Sequence, residues 1–507
     1  MLAIVWAAEQ RGAAGVLVRV ETDLAPGLPR MSVVGLAEGP VREARERVIA
    51  AVRNSGYEFP DGRVTVGLAP AELRKGGAQL DLPMALGVLA ASGQLVAEPW
   101  AASCLVLGEL GLDGSVLPAA GVLILAAEAR AKGLTRAVVP AANAAEAAFA
   151  GLAPLPVRSL REAVVALSGG EPPRALTGPS EEPRAEVAEL DLADVRGQAL
   201  ARRALEVAAA GGHNLLLVGP PGTGKSMLAA RLPGLLPPLG ADEAVEVAKL
   251  HGLAGLAGGG CLSRRRPFRA PHSTARPAAL LGGGPRERPG ELVLAHRGVL
   301  FLDELPEFGR DSLECLRQPL EERVVRLARA RGFAEYPADC AVVGAMNPCP
   351  CGWLGSRARA CRCPRGGPER YRGRISGPLL DRLELQVELS PVPFAQWIGG
   401  SGPAAESSAA VRERVCRARA AAAARLGEGG TNARSTPAQA RAFAALEPDA
   451  ERLLAAAAER AAFSPRALDR VLRVARTAAD LAGAARVAQA HVAEALQYRA
   501  LDRGTGT

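Results

Sequence analysis

The stretch Gly219-Pro220-Pro221-Gly222-Thr223-Gly224-Lys225-Ser226 has the order that binding a triphosphate requires. Glycines let the backbone wrap closely and turn N–H groups toward phosphate oxygens. A helix opening at the loop adds the positive end of its dipole. Lys225 then reaches the β/γ-phosphates and Ser226 offers a hydroxyl to Mg²⁺. Lysine occurs only at Lys75, Lys132, Lys225 and Lys249, so its presence at this position in an arginine-rich chain is pointed. About 80 residues further on, "GVLFLDE" ends an apolar run in Asp303-Glu304, the order in which one acid holds the Mg²⁺ shell and the next polarises the attacking water. "CAVVGAMN" puts Asn347 at the end of another apolar run, where an amide contacts the γ-phosphate, orients water or simply caps a loop. The cofactors implied are ATP and Mg²⁺.

A second chemistry-bearing group begins two residues after Asn347. Cys349, Cys351, Cys361 and Cys363 form C-x-C, nine residues, C-x-C. Four thiolates in paired spacing suit a tetrahedral Zn²⁺. They suit equally a loop of reduced thiols, with a redox switch as a third and lesser reading. Nine cysteines without an even framework argue against structural disulfides and for a reducing compartment, the cytoplasm. The N-terminal "MLAIVWAAEQRG" has neither the basic start nor the long apolar core of a signal peptide, and no apolar run is long enough to span a membrane.

The elements that must position these residues follow from the hydrophobic pattern. A chain of 507 residues holds two to four domains. Residues 1–168 mix strands ("VLVRVETDL", "RMSVVGL", "VTVGLAP") with helices ("EGPVREARERVIAAVRNSG", "LDLPMALGVLAASG"), and a hairpin turns at Asp113-Gly114. This reads as an α/β or α+β domain. Residues 169–187 are rich in Gly, Pro and charge and read as a linker. From 188 to 398, short apolar strands alternate with helices, which predicts a parallel sheet with helical crossovers. Residues 405–502 carry helical periodicity and no strand signal, and predict a helical domain. The fold class is therefore α/β multidomain. Aromatics make up only 3% of the chain, so the cores must be built from Ala, Leu and Val.

The formal net charge is +8, nearly all of it from arginine, which permits a polyanionic partner such as DNA. Two segments are candidates for holding it. "SRRRPFRAPHSTAR" carries Arg264, Arg265, Arg266, Arg269 and Arg276, with Phe268 as a base-stacking aromatic. "ERVVRLARARGFAEYPADC" predicts two strands whose turn carries Arg329, Arg331 and Phe333. An ordinary solvated charge cluster explains either segment as well. Three further arginines bear on nucleotide chemistry. Arg382, between a short helix and a strand, is placed to enter a neighbouring subunit's site as an arginine finger. Arg466 and Arg470 lie one turn apart on a helix capped by Ser464, where one of the two can touch the γ-phosphate from a lid; a solvated surface position explains each arginine alone as well.

The ordered set from phosphate loop to lid arginines resembles the AAA+ ATPases. "DVRGQALARRALEVAAAGGHNLLLVGPPGTGKS", "RPFRAPHSTARPAALLGGGPRERPGELVLAHRGVLFLDELPEF", "AMNPCPCGWLG" and "ISGPLLDRLEL" resemble a narrower group, the magnesium-chelatase-like family known as YifB or ComM. "GLAEGPVREARERVIAAVRNSGYEFP" and "LAPAELRKGGAQLDLPMALGVLAASGQL" extend the resemblance to the N-terminal domain. It implies a Lon-protease-like (ribosomal S5-like) α+β domain, an AAA+ P-loop core and a C-terminal helical lid domain. It also implies a homohexamer acting as an ATP-driven branch-migration helicase that helps integrate DNA in natural transformation. In that pattern Asn347 is sensor 1, Arg382 the finger and Arg466, rather than Arg470, sensor 2. One departure is His272-Ser273, where the family usually shows two histidines. In the Lon-like domain Gln79 and Leu123 align with the catalytic Ser and Lys, so no peptidase is expected and Lys75 reads as a surface or turn residue. The competing functions are the motor subunit of a chelatase and an ATP-controlled assembly or adaptor protein.

Overall fold

The computed structural model describes residues 2–11, 14–35, 39–72, 75–96, 100, 102–169, 190–254, 256, 263–283, 288–329, 332–356, 359–393 and 406–499. The expected linker (169–187), apart from Gly169, lies outside them. The chain forms two units, Met1–Arg184 with Ala241–Ser263, and Ala185–Gly240 with Arg264–Thr507. The helix Ala241–Leu253 thus groups with the first unit although it is flanked in sequence by the second.

In the first unit β1 (Leu2–Arg11), β2 (Ala14–Ala25), β3 (Arg30–Val34), β4 (Arg63–Ala69) and β5 (Cys104–Val106) share a sheet with β8 (Arg136–Pro140) and β9 (Ala153–Val157). Its order is β3-β4-β2-β1-β5-β8-β9. β1 and β2 form an antiparallel hairpin from Leu2↔Asp23 to Arg11↔Ala14, while β5, β8 and β9 run parallel. β4 alternates strictly, burying Val64, Val66 and Leu68, which is the two-residue period of a strand with one face on a core. The helix Asp81–Ala91 is buried along its whole length, because it packs on β1 and β2 and also on the helix Gly39–Asn54. The expected hairpin is present as β6 (Glu109–Leu110) and β7 (Val116–Leu117), with Gly114 in the left-handed conformation at its turn.

The second unit carries β10 (Leu215–Val218), β11 (Phe268–Arg269), β14 (Val299–Leu302), β17 (Ala341–Met346) and β18 (Leu385–Glu388) in one parallel sheet, ordered β11-β14-β17-β10-β18. Two short antiparallel pairs flank it, β12 (Gly282–Gly283) with β13 (Arg288–Pro289), and β15 (Val324–Arg329) with β16 (Gly332–Pro337). β10, β14 and β17 are buried runs without alternation, as strands covered on both faces must be. The register Val218↔Met346 and Leu302↔Gly344 brings the carboxyl ends of these three strands side by side. In open parallel sheets that edge is where ligands bind.

Five α-helices follow among the described residues: Ser408–Leu426, Pro437–Ala444, Pro448–Ala461, Pro465–Leu481 and Gln489–Gln497. Side chains of Ser407, Thr436 and Ser464 cap three of them, each worth about 1 kcal/mol. Val474, Ala475 and Ala479 share one apolar core with Leu215, Leu217 and Val343 of the sheet, so these helices are packed on the strands that position the site. No helix among the described residues is long and apolar enough to cross a membrane.

A candidate ATP-hydrolysis site and a cysteine knuckle beside it

The chain leaves β10 into Gly219, whose backbone lies so close to Leu389 that a Cβ would sit 2.8 Å from the Leu389 carbonyl oxygen. The loop then turns through Gly222 and Gly224, at φ of 78° and 88°, and the helix Lys225–Ala229 starts directly after. Left-handed backbone at both positions is what selects glycine there. The Lys225 ammonium donates to Gly219 O (2.7 Å), Pro220 O (3.0 Å) and Asn347 Oδ1 (3.1 Å). Burial pulls its pKa below the ordinary lysine value, and Asp303 and Glu304 oppose that shift. The Ser226 hydroxyl donates to Asp303 Oδ2 at 2.8 Å, so the two Mg²⁺-type ligands of the sequence reading are already paired. Thr223 folds back on Pro220 O at 2.9 Å and keeps the loop wound.

Glu304 is a non-glycine residue at φ 51°, a strained conformation, and its N–H donates to Asp303 Oδ1 at 2.9 Å. The turn leaves Glu304 exposed beside the buried strand end. The site therefore combines a glycine cradle, one half-buried ammonium, a hydroxyl–carboxylate pair and an exposed carboxylate. These groups fit Mg²⁺ and a triphosphate: Ser226 and Asp303 would hold the ion, and Lys225 with the loop amides would hold the phosphates.

The arginines separate. Arg382 pairs with Glu321 at 2.5 Å and its carbonyl accepts from Asn214 Nδ2 at 2.9 Å. Arg470 is buried and donates to Asp381 Oδ1 at 2.9 Å, which pulls the Asp381 carboxyl below its ordinary value. Arg466, one turn earlier, is exposed. It is thus Arg470 that the fold ties to the residue beside Arg382. Sequence reasoning also missed Gln198, held at φ 54°, whose side chain donates to Thr223 O (3.2 Å) and Ser390 O (2.7 Å) and so braces the phosphate loop. The only trace of it in the chain was "RGQ" ahead of a helix.

Of the basic segment 263–276, much is spent on the fold. Arg266 donates to Pro237 O and Arg297 O, and Arg269 makes a bidentate pair with Glu291. Phe268, expected as a base-stacking residue, instead stacks on Phe301 at 6.0 Å and packs on the sheet core. Arg264, Arg265 and Arg276 remain exposed. The predicted hairpin is present as β15–β16, with Arg329 opposite Gly332; Arg331 lies outside the described residues. In the first unit Lys75 is not at the surface. It is fully buried, and its ammonium donates to three backbone carbonyls.

The four cysteines converge. Their sulfurs all lie within 4.8 Å of one another, with Cys349–Cys351 at 3.4 Å, Cys351–Cys361 at 3.6 Å and Cys349–Cys361 at 3.7 Å. The backbone N–H of Arg362 donates to Cys351 Sγ at 3.4 Å. That contact and the Trp353 amide bring the Cys351 thiol down to about 6.

This second-unit arrangement is that of a P-loop ATPase. Comparison with known families agrees: magnesium chelatase, subunit ChlI, matches residues 191–397, subunit ChlI of Mg-chelatase matches 20–143, and the subunit ChlI C-terminal region matches 405–499. Uncharacterized protein YifB of Salmonella typhimurium is 41% identical over 503 residues, covering 99% of this chain and 98% of that protein. Uncharacterized protein Rv2897c of Mycobacterium tuberculosis is 44% identical, covering 96% and 97%. Competence protein ComM of Haemophilus influenzae is 41% identical, covering 99% and 98%. The chain belongs to the magnesium-chelatase-like AAA+ ATPase family that includes YifB and ComM.

Proposed function

We propose that the protein is an ATP-driven motor acting on DNA, working as a homohexamer in branch migration during recombination or transformation. The observation that carries the ATPase half is the convergence of Lys225 with Asn347 and of Ser226 with Asp303 at one sheet edge. Lys225 and the amides from Gly219 to Ser226 bind the phosphates, and Ser226 with Asp303 holds Mg²⁺, which neutralises charge on the phosphates. Glu304 accepts a proton from, or orients, the attacking water. Asn347, bonded to Lys225, is the group that registers the γ-phosphate. Arg382 reaches a neighbouring subunit's nucleotide after leaving Glu321, and the lid reports through Arg466 or, as its pairing with Asp381 favours, Arg470.

The DNA half rests on the similarity to a protein named for competence, on the net charge of +8 and on the exposed Arg264, Arg265 and Arg276 together with the β15–β16 hairpin. The N-terminal unit, in the Lon-like reading, is a docking domain without peptidase activity; Lys75, its buried lysine, is spent on backbone carbonyls. The four cysteines hold one Zn²⁺, and the protein works in the cytoplasm. The three chelatase family matches favour a second reading, a metal-insertion motor that needs no DNA. Purified protein assayed for ATPase with single-stranded, duplex and four-way-junction DNA separates the two. The motor reading expects stimulation by DNA and junction dissociation, both lost in Lys225→Ala. Indifference to every DNA would leave the ATPase and remove the DNA function.

A further inference from the structure

The segment carrying the cysteines leaves the ATP site and returns to it. It departs at Asn347, two residues before Cys349. Gly352, at φ 81°, then lies directly on the phosphate loop: a Cβ there would sit 2.7 Å from Pro221 Cδ and 3.8 Å from Asn347 Cγ. Its N–H is bonded to Cys349 O at 2.9 Å, which ties this contact to the first cysteine. After Cys363 the helix Gly367–Arg372 follows, and its buried Tyr371 carries a phenol near the backbone amide of Asn347. Burial, with Glu307 adding to it, pushes that phenol up to about 12, so it stays a neutral hydroxyl at working pH. The cysteine segment therefore starts at Asn347 and lies against the phosphate loop at Gly352, and Asn347 Oδ1 holds the Lys225 ammonium.

The sulfur geometry says what holds the segment together. Four thiolates about 2.3 Å from one tetrahedral ion lie about 3.8 Å from each other. The observed separations of 3.4, 3.6 and 3.7 Å, all six within 4.8 Å, match one ion. They are far beyond the roughly 2.05 Å of a disulfide. An all-thiolate tetrahedron selects a soft divalent ion of the zinc type, and the Arg362 N–H on Cys351 supplies the outer support such ligands require.

We infer that this zinc knuckle sets the ATP affinity of the site: the metal clamps the segment from Cys349 to Cys363, which presses Gly352 onto Pro221 and fixes Asn347 against Lys225. The inference rests on the ATPase reading above for its readout, but its metal half does not. Zinc occupancy becomes a condition for nucleotide binding, with the coordinating residues themselves outside the chemistry.

The test uses full-length protein, its metal content by mass spectrometry and its ATP affinity with a fluorescent ATP analogue. As purified it should carry about one zinc per chain. Stripping the metal with a chelator should weaken analogue binding about tenfold or more, and zinc alone should restore it. Cys361→Ser/Cys363→Ser should lose both zinc and affinity. Gly352→Val should keep zinc and lose affinity, because its side chain meets Pro221; this variant guards against a cysteine variant that merely misfolds. Metal-free protein, or iron in place of zinc, would overturn the assignment of the site. Zinc-loaded protein whose stripped, still folded form binds the analogue unchanged would overturn the coupling alone. Zinc-loaded protein without ATP turnover would instead count against the ATPase reading.

Discussion

Lys75 and Lys225 present nearly the same description and opposite uses. Each ammonium spends its three donors on three oxygens, and burial depresses each pKa. Lys75 is bonded to Gly35 O, Leu68 O and Pro70 O, all main-chain carbonyls at the ends of β3 and β4. Nothing there can exchange, because the carbonyls are fixed by the sheet and the lysine has no exposure. Lys225 sits at a helix start, on a glycine loop, with a side-chain amide as its third acceptor and Asp303 and Glu304 nearby. A buried lysine is thus no functional signal in itself; the exchangeability of its acceptors is.

Substitution should break the symmetry between the two in opposite directions. Lys225→Ala should lower ATP turnover about 10²-fold or more while leaving the melting temperature within a few degrees, since it removes phosphate stabilisation and little packing. Lys75→Met should leave three carbonyls unbonded and destabilise the first unit by about 3 kcal/mol, read by urea denaturation. ATP turnover per folded molecule should be unchanged. Equal effects of both substitutions on turnover would dissolve the distinction.

A smaller effect tests the acids of the second unit. Burial alone would raise the Asp339 carboxyl, but Arg434, Arg323 and Arg297 outweigh it and hold the group below its ordinary value. A depressed folded pKa contributes stability that is present above the unfolded value, about 3.9, and is lost as pH falls through the folded one. Denaturation midpoints followed from pH 6 to pH 3 should therefore fall, and Asp339→Asn should flatten that fall. Because Arg434 belongs to the helical region and Arg297 and Arg323 to the sheet region, the variant should also loosen the lid against the core.

What the sequence disclosed and what it hid divides along the same line. The phosphate loop, Asp303-Glu304 and Asn347 were legible because each is written in a short contiguous stretch that ends an apolar strand. The strands themselves were legible from their unbroken hydrophobic runs. The Ser464 cap and the β15–β16 hairpin were readable for the same local reason. Partnerships across the chain were not. Phe268 reads as a free aromatic among arginines, yet Phe301, brought alongside by β11–β14 pairing, claims it. Arg266 and Arg269 read as phosphate contacts, yet a carbonyl pair and Glu291 claim them. Lys75 reads as a turn residue because its three acceptors are set by sheet pairing. Gly352 and Tyr371 carry no pattern at all until the chain is folded back onto Asn347. The four cysteines lay between these cases: their spacing announced a cluster, and only the fold showed that the cluster rests on the ATP site.

The most direct test of the central claim is the Glu304→Gln variant, assayed for ATP binding and ATP turnover in the same preparation. The exposed carboxylate at φ 51° is the group assigned to the attacking water, and it is not among the groups assigned to the phosphates. The expected result is ATP affinity equal to that of the unmodified protein with turnover reduced about 10²-fold or more. Turnover that survives the substitution would contradict the assignment of this sheet edge as the hydrolytic site.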